Sequence, residues 1–303
     1  MSILSKRPGA GLFTALAVIL LTSVAAVQAK AAPIGASDAY GLGANLSILN
    51  VVSVSAGPFG EVSGTAPGAY NTSNTVLSVD ENLGLVSNIL GDYMQGLHTG
   101  VIETNASSDI PGATQAAAGA TINDLNLGLM FAPSLPILDP LAILGLSADT
   151  IVSSSEVMDA GGLMAVGDTR IEGLGLSSGV LSLLGVDLGL AVDPGANTTL
   201  VDLLGLKIVL NEQITNDVGG NGLGLETNAI HISFDDFGLS VLGLGAGLLN
   251  GDVYVGHTYA EVALLADPGT PVNDVPEPAA LGLFGVGLLG LGYGLRRHRG
   301  RKA

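Results

Sequence analysis

The chain has 303 residues, 48% of them hydrophobic, which supplies a sizeable core and excludes intrinsic disorder; its 45 glycines follow no three-residue period, which excludes collagen. There is no cysteine, which removes disulfides, thiolate catalysis, iron–sulfur clusters and Cys-based zinc sites. Between Lys30 and Val275 only 3 basic residues stand against 26 acidic ones, a net −23, which excludes nucleic acid as a partner.

Residues 1–29 read as a signal peptide. Lys6 and Arg7 form a positive start, Leu12 to Val27 an apolar stretch, and Val27-Gln28-Ala29 a small-residue site at which signal peptidase would cut between Ala29 and Lys30. An uncleaved N-terminal anchor is the alternative reading.

Residues 30–274 then form the body. Alternation of apolar and polar residues predicts strands at Leu46–Ser55, Thr75–Asp80, Val101–Ala106, Ala148–Val157, Leu206–Thr215 and Asp252–Val262. Asn82 to Leu97 is read as a short amphipathic helix capped by Asp80 or Asn82, although three glycines oppose it. Val180–Leu190 and Leu200–Leu206 are apolar and Gly-punctuated, compatible with buried strands. Pro133, Pro136 and Pro140 mark a central loop. A hairpin joins Ile208–Thr215 to Thr227–Phe234 through Asn216-Asp-Val-Gly-Gly-Asn-Gly, whose residues accept positive φ. Leu-Gly-Leu recurs at 83–85, 127–129, 144–146, 174–176, 188–190, 204–206 and 223–225. Thr121–Leu127 and Arg170–Leu176 share the pattern x-I-x-x-L-x-L, as strand duplication within a sheet would produce. The expected fold is mainly β: an antiparallel two-sheet, sandwich-like domain with strand-rich halves around the proline loop, flanked by a signal helix and a C-terminal membrane helix. A β-helix is the alternative.

The body offers no catalytic constellation. His98, His231, His257 and His298 show no zinc-hydrolase spacing. His231 and His257 fall on neighbouring late strands, where each is expected to satisfy a local hydrogen bond. Asp217 and Asn221 in the Gly/Asp-rich turn, and the adjacent Asp235 and Asp236, are weak calcium candidates, with a simple turn as the plainer reading. No other cofactor is expected. The sequons at Asn45, Asn71, Asn105 and Asn197 are read as strand and turn chemistry.

The remaining segment, 275–303, opens with Val275-Pro276-Glu277-Pro278. Ala279 to Leu295 follows, 17 residues without charge. As a helix it would span about 25 Å, short for a ~30 Å hydrocarbon core but workable with thinning or snorkelling. Arg296, Arg297, Arg299, Arg301 and Lys302 come next, a basic tail that the positive-inside rule keeps cytoplasmic. The order Pro-Glu-Pro, Gly/Leu-rich span, arginine cluster resembles the PEP-CTERM sorting signal. That resemblance implies recognition and removal by a membrane-embedded exosortase in a Gram-negative bacterium that makes extracellular polysaccharide. Ser37–Leu42, Leu210-Asn-Glu-Gln, Thr227-Asn-Ala-Ile-His-Ile and Leu249–His257 resemble the choice-of-anchor P family, which implies a surface or matrix protein and supplies no catalytic residue. The expected function is an exported, non-enzymatic cell-surface or extracellular-matrix protein. It would be held transiently in the inner membrane and could engage extracellular polysaccharide. An exported polysaccharide hydrolase and a permanently membrane-anchored protein are the alternatives.

Overall fold

A computed structural model of the chain describes residues 33–48, 52–87, 91–112, 114–133, 141–178, 193–219, 221–237 and 249–264. These are all-β, in two antiparallel sheets, so the β-helix alternative falls. The first sheet runs in the order β12 (Thr198–Leu203), β13 (Leu206–Asp217), β14 (Gly222–Phe237), β15 (Leu249–Ala263), β1 (Ile34–Ile48) and β2 (Val52–Phe59). β3 (Val62–Thr65) lies beside the N-terminal half of β1. The second sheet runs β10 (Leu163–Glu172), β9 (Leu141–Asp159), β8 (Gln115–Pro133), β6 (Gly91–Thr99) and β5 (Val79–Ser87). Its long strands take split partners: β11 (Gly175–Ser177) also flanks β9, while β7 (Ile102–Ser108) flanks β8 and carries β4 (Tyr70–Val76).

The first strand of the body pairs with the last, with Ile34 opposite Ala263 and Ile48 opposite Leu249. The halves expected on either side of the proline loop are therefore not the organising units. That loop joins β8 to β9, neighbours in one sheet, and its residues 134–140 lie outside the described ones. The expected helix over Asn82–Leu97 is instead the hairpin of β5 and β6, with Asp80 opposite His98 and Asn82 opposite Gly96. Gly84, Gly91 and Gly96 each cost a helix about 1 kcal/mol, and β8 offers β6 a complete ladder of partners. Leu46–Ser55 is not one strand but folds back on itself, Leu46 meeting Val54 and Ile48 meeting Val52. Thr75–Asp80 breaks at Leu77-Ser78, where Leu77 is 77% exposed. Leu200–Leu206 is the end of β12 and a turn, in which Leu204 (φ 56°) and Gly205 (φ 82°) are left-handed. Val180–Leu190 lies outside the described residues.

The hairpin of β13 and β14 forms as expected, Ile208 facing Ile232 and Thr215 facing Leu225. The x-I-x-x-L-x-L duplication falls on the two neighbours of β9. Ile122 and Ile171 both sit opposite Ile151, and the fourth residue of each copy, Asp124 (φ 50°) and Gly173 (φ 65°), is left-handed. Three Leu-Gly-Leu copies stand side by side in the same sheet, Leu127 beside Leu146 beside Leu176 and Gly128 beside Gly145. Their leucines pack inward and the glycines occupy the alternate, outer positions.

The space between the sheets is not uniformly apolar. A large cluster contains Ile151, Ala229 and Val255; a smaller one contains Val157, Leu225 and Ala260. Between them on the same three strands lies a belt of hydroxyls. Ser155 Oγ sits 2.9 Å from both Thr227 Oγ1 and Thr258 Oγ1, and Ser153 Oγ donates to the Gly256 carbonyl at 2.6 Å. These bonds tie β9 of one sheet to β14 and β15 of the other. Each buried hydroxyl in this belt meets a partner across the interface, which offsets its desolvation. Thr169, opposite Ser153 on β10 and 3% exposed, differs: its Oγ1 is buried and has no hydrogen-bond partner. Thr169→Val keeps the shape and removes that unpaired group. The urea midpoint should rise, by about 1 kcal/mol of stability; an unchanged or lower midpoint would mean that the hydroxyl is bonded in solution.

Candidate functional site

The outer face of the seven-stranded sheet carries the chemistry. Period-two alternation fails on it in an ordered way. Along β15 the residues facing out are Asp252 and Tyr254, then, past Gly256 (φ 65°), His257 and Tyr259. The same slip occurs at Asn211 (φ 50°) in β13, near Ala229 in β14 and at Gly41 in β1. The neighbouring register pairs put these four positions on one line across the sheet. Gly41 turns toward the second sheet, and a Cβ there would collide with the Ile102 side chain. The bulge line brings residues three apart in sequence onto one face.

Those residues form a continuous chain of polar contacts. His231 Nε2 lies 2.9 Å from Asp252 Oδ1, and Nδ1 lies 3.0 Å from Glu212 Oε1. Asn228 Nδ2 donates to Glu212 Oε2 at 3.0 Å and to Glu226 Oε1 at 2.9 Å. Its Oδ1 therefore accepts from His257 Nδ1, at 2.8 Å, and His257 Nε2 stands 3.3 Å from Asp38 Oδ2. Each imidazole is also stacked: His231 on Tyr254 at 4.5 Å between centroids, and His257 on Tyr40 at 4.3 Å, both nearly parallel. Tyr259 donates to Glu261 on the same strand.

Burial opposes the imidazolium of His231, but the hydrogen bonds to Glu212 and Asp252 outweigh it and raise its pKa. Burial likewise opposes the Glu212 carboxylate, and the bonds from His231 and Asn228 outweigh it and lower the pKa. The Tyr254 phenol is pushed up to about 12 by burial and by Asp252, Glu226 and Glu212; burial and its neighbours raise Tyr40 as well.

These shifts fix a pH dependence. A raised histidine pKa contributes stability that is complete below the ordinary histidine range and is lost as pH rises through the folded value. A lowered carboxylate pKa contributes stability present above the ordinary carboxylate range and lost as pH falls through the folded value. The Glu212–His231 pair therefore works in the window between them. His231→Gln should cost about 1 kcal/mol near pH 5.5, after solvent screening of a partly buried pair, and progressively less toward pH 9. Urea titrations at the two values check this; a cost that grows with pH contradicts the charged pairing.

The sequence-chosen calcium candidates are not gathered by the fold. Asp217 ends β13 and Asn221 lies in the turn beyond it, where its carbonyl accepts from Leu264 N at 3.1 Å. Asp235 and Asp236 lie at the far end of β14. There Asp236 (φ 47°) exchanges bonds with Asn250, its N–H donating to Oδ1 at 2.7 Å. Both pairs do turn and bulge chemistry. Among the described residues no group of three or more His, Asp and Glu is arranged to hold a metal ion. His231 and His257 do belong together, but through Asn228 and Glu212, which sequence reading had not singled out. The available signal was the repeated spacing of three, Asn228/His231 beside Tyr254/His257. His98 is exposed on β6.

Ala29, Lys30, Pro276, Glu277, Pro278, the span 279–295 and the basic tail 296–302 all lie outside the described residues. Among the described residues no helix is long and apolar enough to cross a membrane. For the C-terminal segment, comparison with family models decides: residues 274–299 match the PEP-CTERM protein-sorting motif. The chain carries a PEP-CTERM signal. The match begins at Asp274, takes in the whole Pro-Glu-Pro and apolar run, and ends at Arg299. A PEP-CTERM chain is exported, is sorted by an exosortase and bears a C-terminal membrane-anchoring signal. No curated protein and no solved structure matches the chain.

Proposed function

We propose that this chain is a non-enzymatic cell-surface or extracellular-matrix protein of a Gram-negative bacterium, associated with exopolysaccharide. The sorting motif at residues 274–299 carries the reading. After signal peptidase cuts between Ala29 and Lys30, Ala279–Leu295 holds the chain briefly in the inner membrane, with the basic tail inside. Exosortase then cuts near Pro276-Glu277-Pro278, and the acidic β body is released or attached at the surface. The sequence resemblance to choice-of-anchor P bodies implies a surface or matrix protein and fits this reading. A further support is the saturation of His231, whose two ring nitrogens each face a carboxylate, leaving no free imidazole nitrogen as a general base.

Mass spectrometry of the C-terminus of the protein recovered from the host surface and medium tests the proposal. The expected end lies upstream of Ala279. An intact arginine-rich tail on the mature species overturns it in favour of a permanent anchor.

A further inference from the structure

A pocket of about 240 Å³ opens on the outer face where β15, β1 and β2 run side by side. Tyr254 walls it on the β15 side, Ser55 and Pro58 on the β2 side, and Gly43 of β1 lies between, with Tyr40 and Asn45 beside it. Glycine keeps the floor open: a Cβ on Gly43 would sit 3.1 Å from the Tyr40 ring and press on it. Both tyrosines are braced from behind by stacked histidines, and these are pinned in turn by Asp252, Glu212, Asn228 and Asp38. Binding would therefore immobilise neither ring, which removes a usual cost of association.

Size, lining and charge together define the occupant. The volume falls below the ~300–1,000 Å³ of sites for drug-sized ligands, so it holds one ring. Aromatic faces suit the C–H face of a saturated ring, while the exposed Asn45 and Ser55 at the rim suit its hydroxyls. Asp252, directly opposite Asn45, and Asp38, Glu212 and Glu226 nearby repel an acidic group. We propose that this pocket binds one pyranose ring of a polysaccharide that carries no acidic substituents. Only the source of that sugar rests on the matrix function proposed above.

The test uses the full-length chain in detergent. Emission comes from tyrosine alone, since the chain has 6 Tyr and no Trp. Tyrosine fluorescence and saturation-transfer NMR are read with cellotetraose, glucosamine tetramer and galacturonate tetramer. The neutral and aminated oligomers should bind, the uronate at least about tenfold more weakly. Tyr254→Ala should weaken binding by about tenfold or more. Asn45→Ala with Ser55→Ala, both at exposed positions, should weaken it several-fold without touching the fold. The proposal falls if no oligomer binds, if the uronate binds as well as the others, or if both variants bind as the native chain does. It also falls if choline displaces the sugar and binds more tightly. Loss of sugar binding alongside normal removal of the tail defeats the pocket and leaves the sorting proposal standing; the reverse pattern defeats only the sorting proposal.

Discussion

Rewriting Pro276, Glu277 and Pro278 as three alanines should trap the chain in the membrane with its arginine tail intact, and should cut the released body at least about tenfold. Two physical changes act together. Proline fixes φ near −65° and disfavours helix in the residue before it, so the native sequence opposes a helix running back upstream of Ala279. Three alanines are the best helix formers and would let the apolar helix continue back through the cleavage region. The acidic side chain and the rigid backbone that an exosortase could read disappear at the same time. Export itself should be unaffected, because Lys6, Arg7 and the apolar run to Val27 are untouched; the proposed cleavage after Ala29 is the internal control. Replacing Arg296, Arg297, Arg299, Arg301 and Lys302 by alanine tests a different step, since it removes the proposed cytoplasmic stop while sparing the motif. Fractionation and C-terminal mass spectrometry distinguish the two. Release of the triple-alanine chain at the native level would show that sorting does not use Pro-Glu-Pro.

Gly251→Val should unfold the body. Gly251 has φ 121° in β15, and a Cβ there would collide with the Asn45 carbonyl oxygen of β1, with Asn45 C and Leu46 Cα each 3.0 Å away. The obstacles are backbone atoms in a central strand, so no rotamer change relieves them. Left-handed backbone alone costs an L-residue ~1–2 kcal/mol, and β-branching makes it worse. Separating β15 from β1 adds the loss of ladder bonds, for a total above ~4 kcal/mol, a large part of a domain's stability. Gly128→Ala is the contrast. Gly128 lies in a strand without positive φ, and a Cβ there meets nothing within 4 Å. It should match or slightly exceed the native urea midpoint. A cooperative native-like transition for Gly251→Val would show that β15 and β1 do not pair as described.

Sequence reading finds most directly the strands buried on one side with unbroken alternation, and it also places β13 and β15 despite the slips at Asn211 and Gly256. β7 is the clearest, with Ile102, Thr104 and Ala106 in and Glu103 and Asn105 out. The β13–β14 hairpin was legible because its turn residues announce it. The hairpin of β5 and β6 was misread because local spacing around Leu83 and Leu97 imitates a helix, while the partner that decides the matter, β8, lies some thirty residues on. The closure of β1 against β15 has no local signal at all. At the site, the histidines could be placed on adjacent strands, but the bulge line through Gly41, Asn211, Ala229 and Gly256 puts Asn228 and His231 on one face, where strict alternation separates them. The pocket needs residues from β1, β2 and β15, and only the register brings these together.

The pairing of the first strand with the last has a mechanical side. Whatever the body is tethered by after residue 264, tension arriving there enters β15 at Ala263 and runs along its axis. β15 is flanked over its length by β14 and β1, so an axial pull strains two rows of hydrogen bonds in parallel. A peripheral strand would peel open one bond after another. A load applied at that end would pull on an interior strand, and the body should yield abruptly at high force.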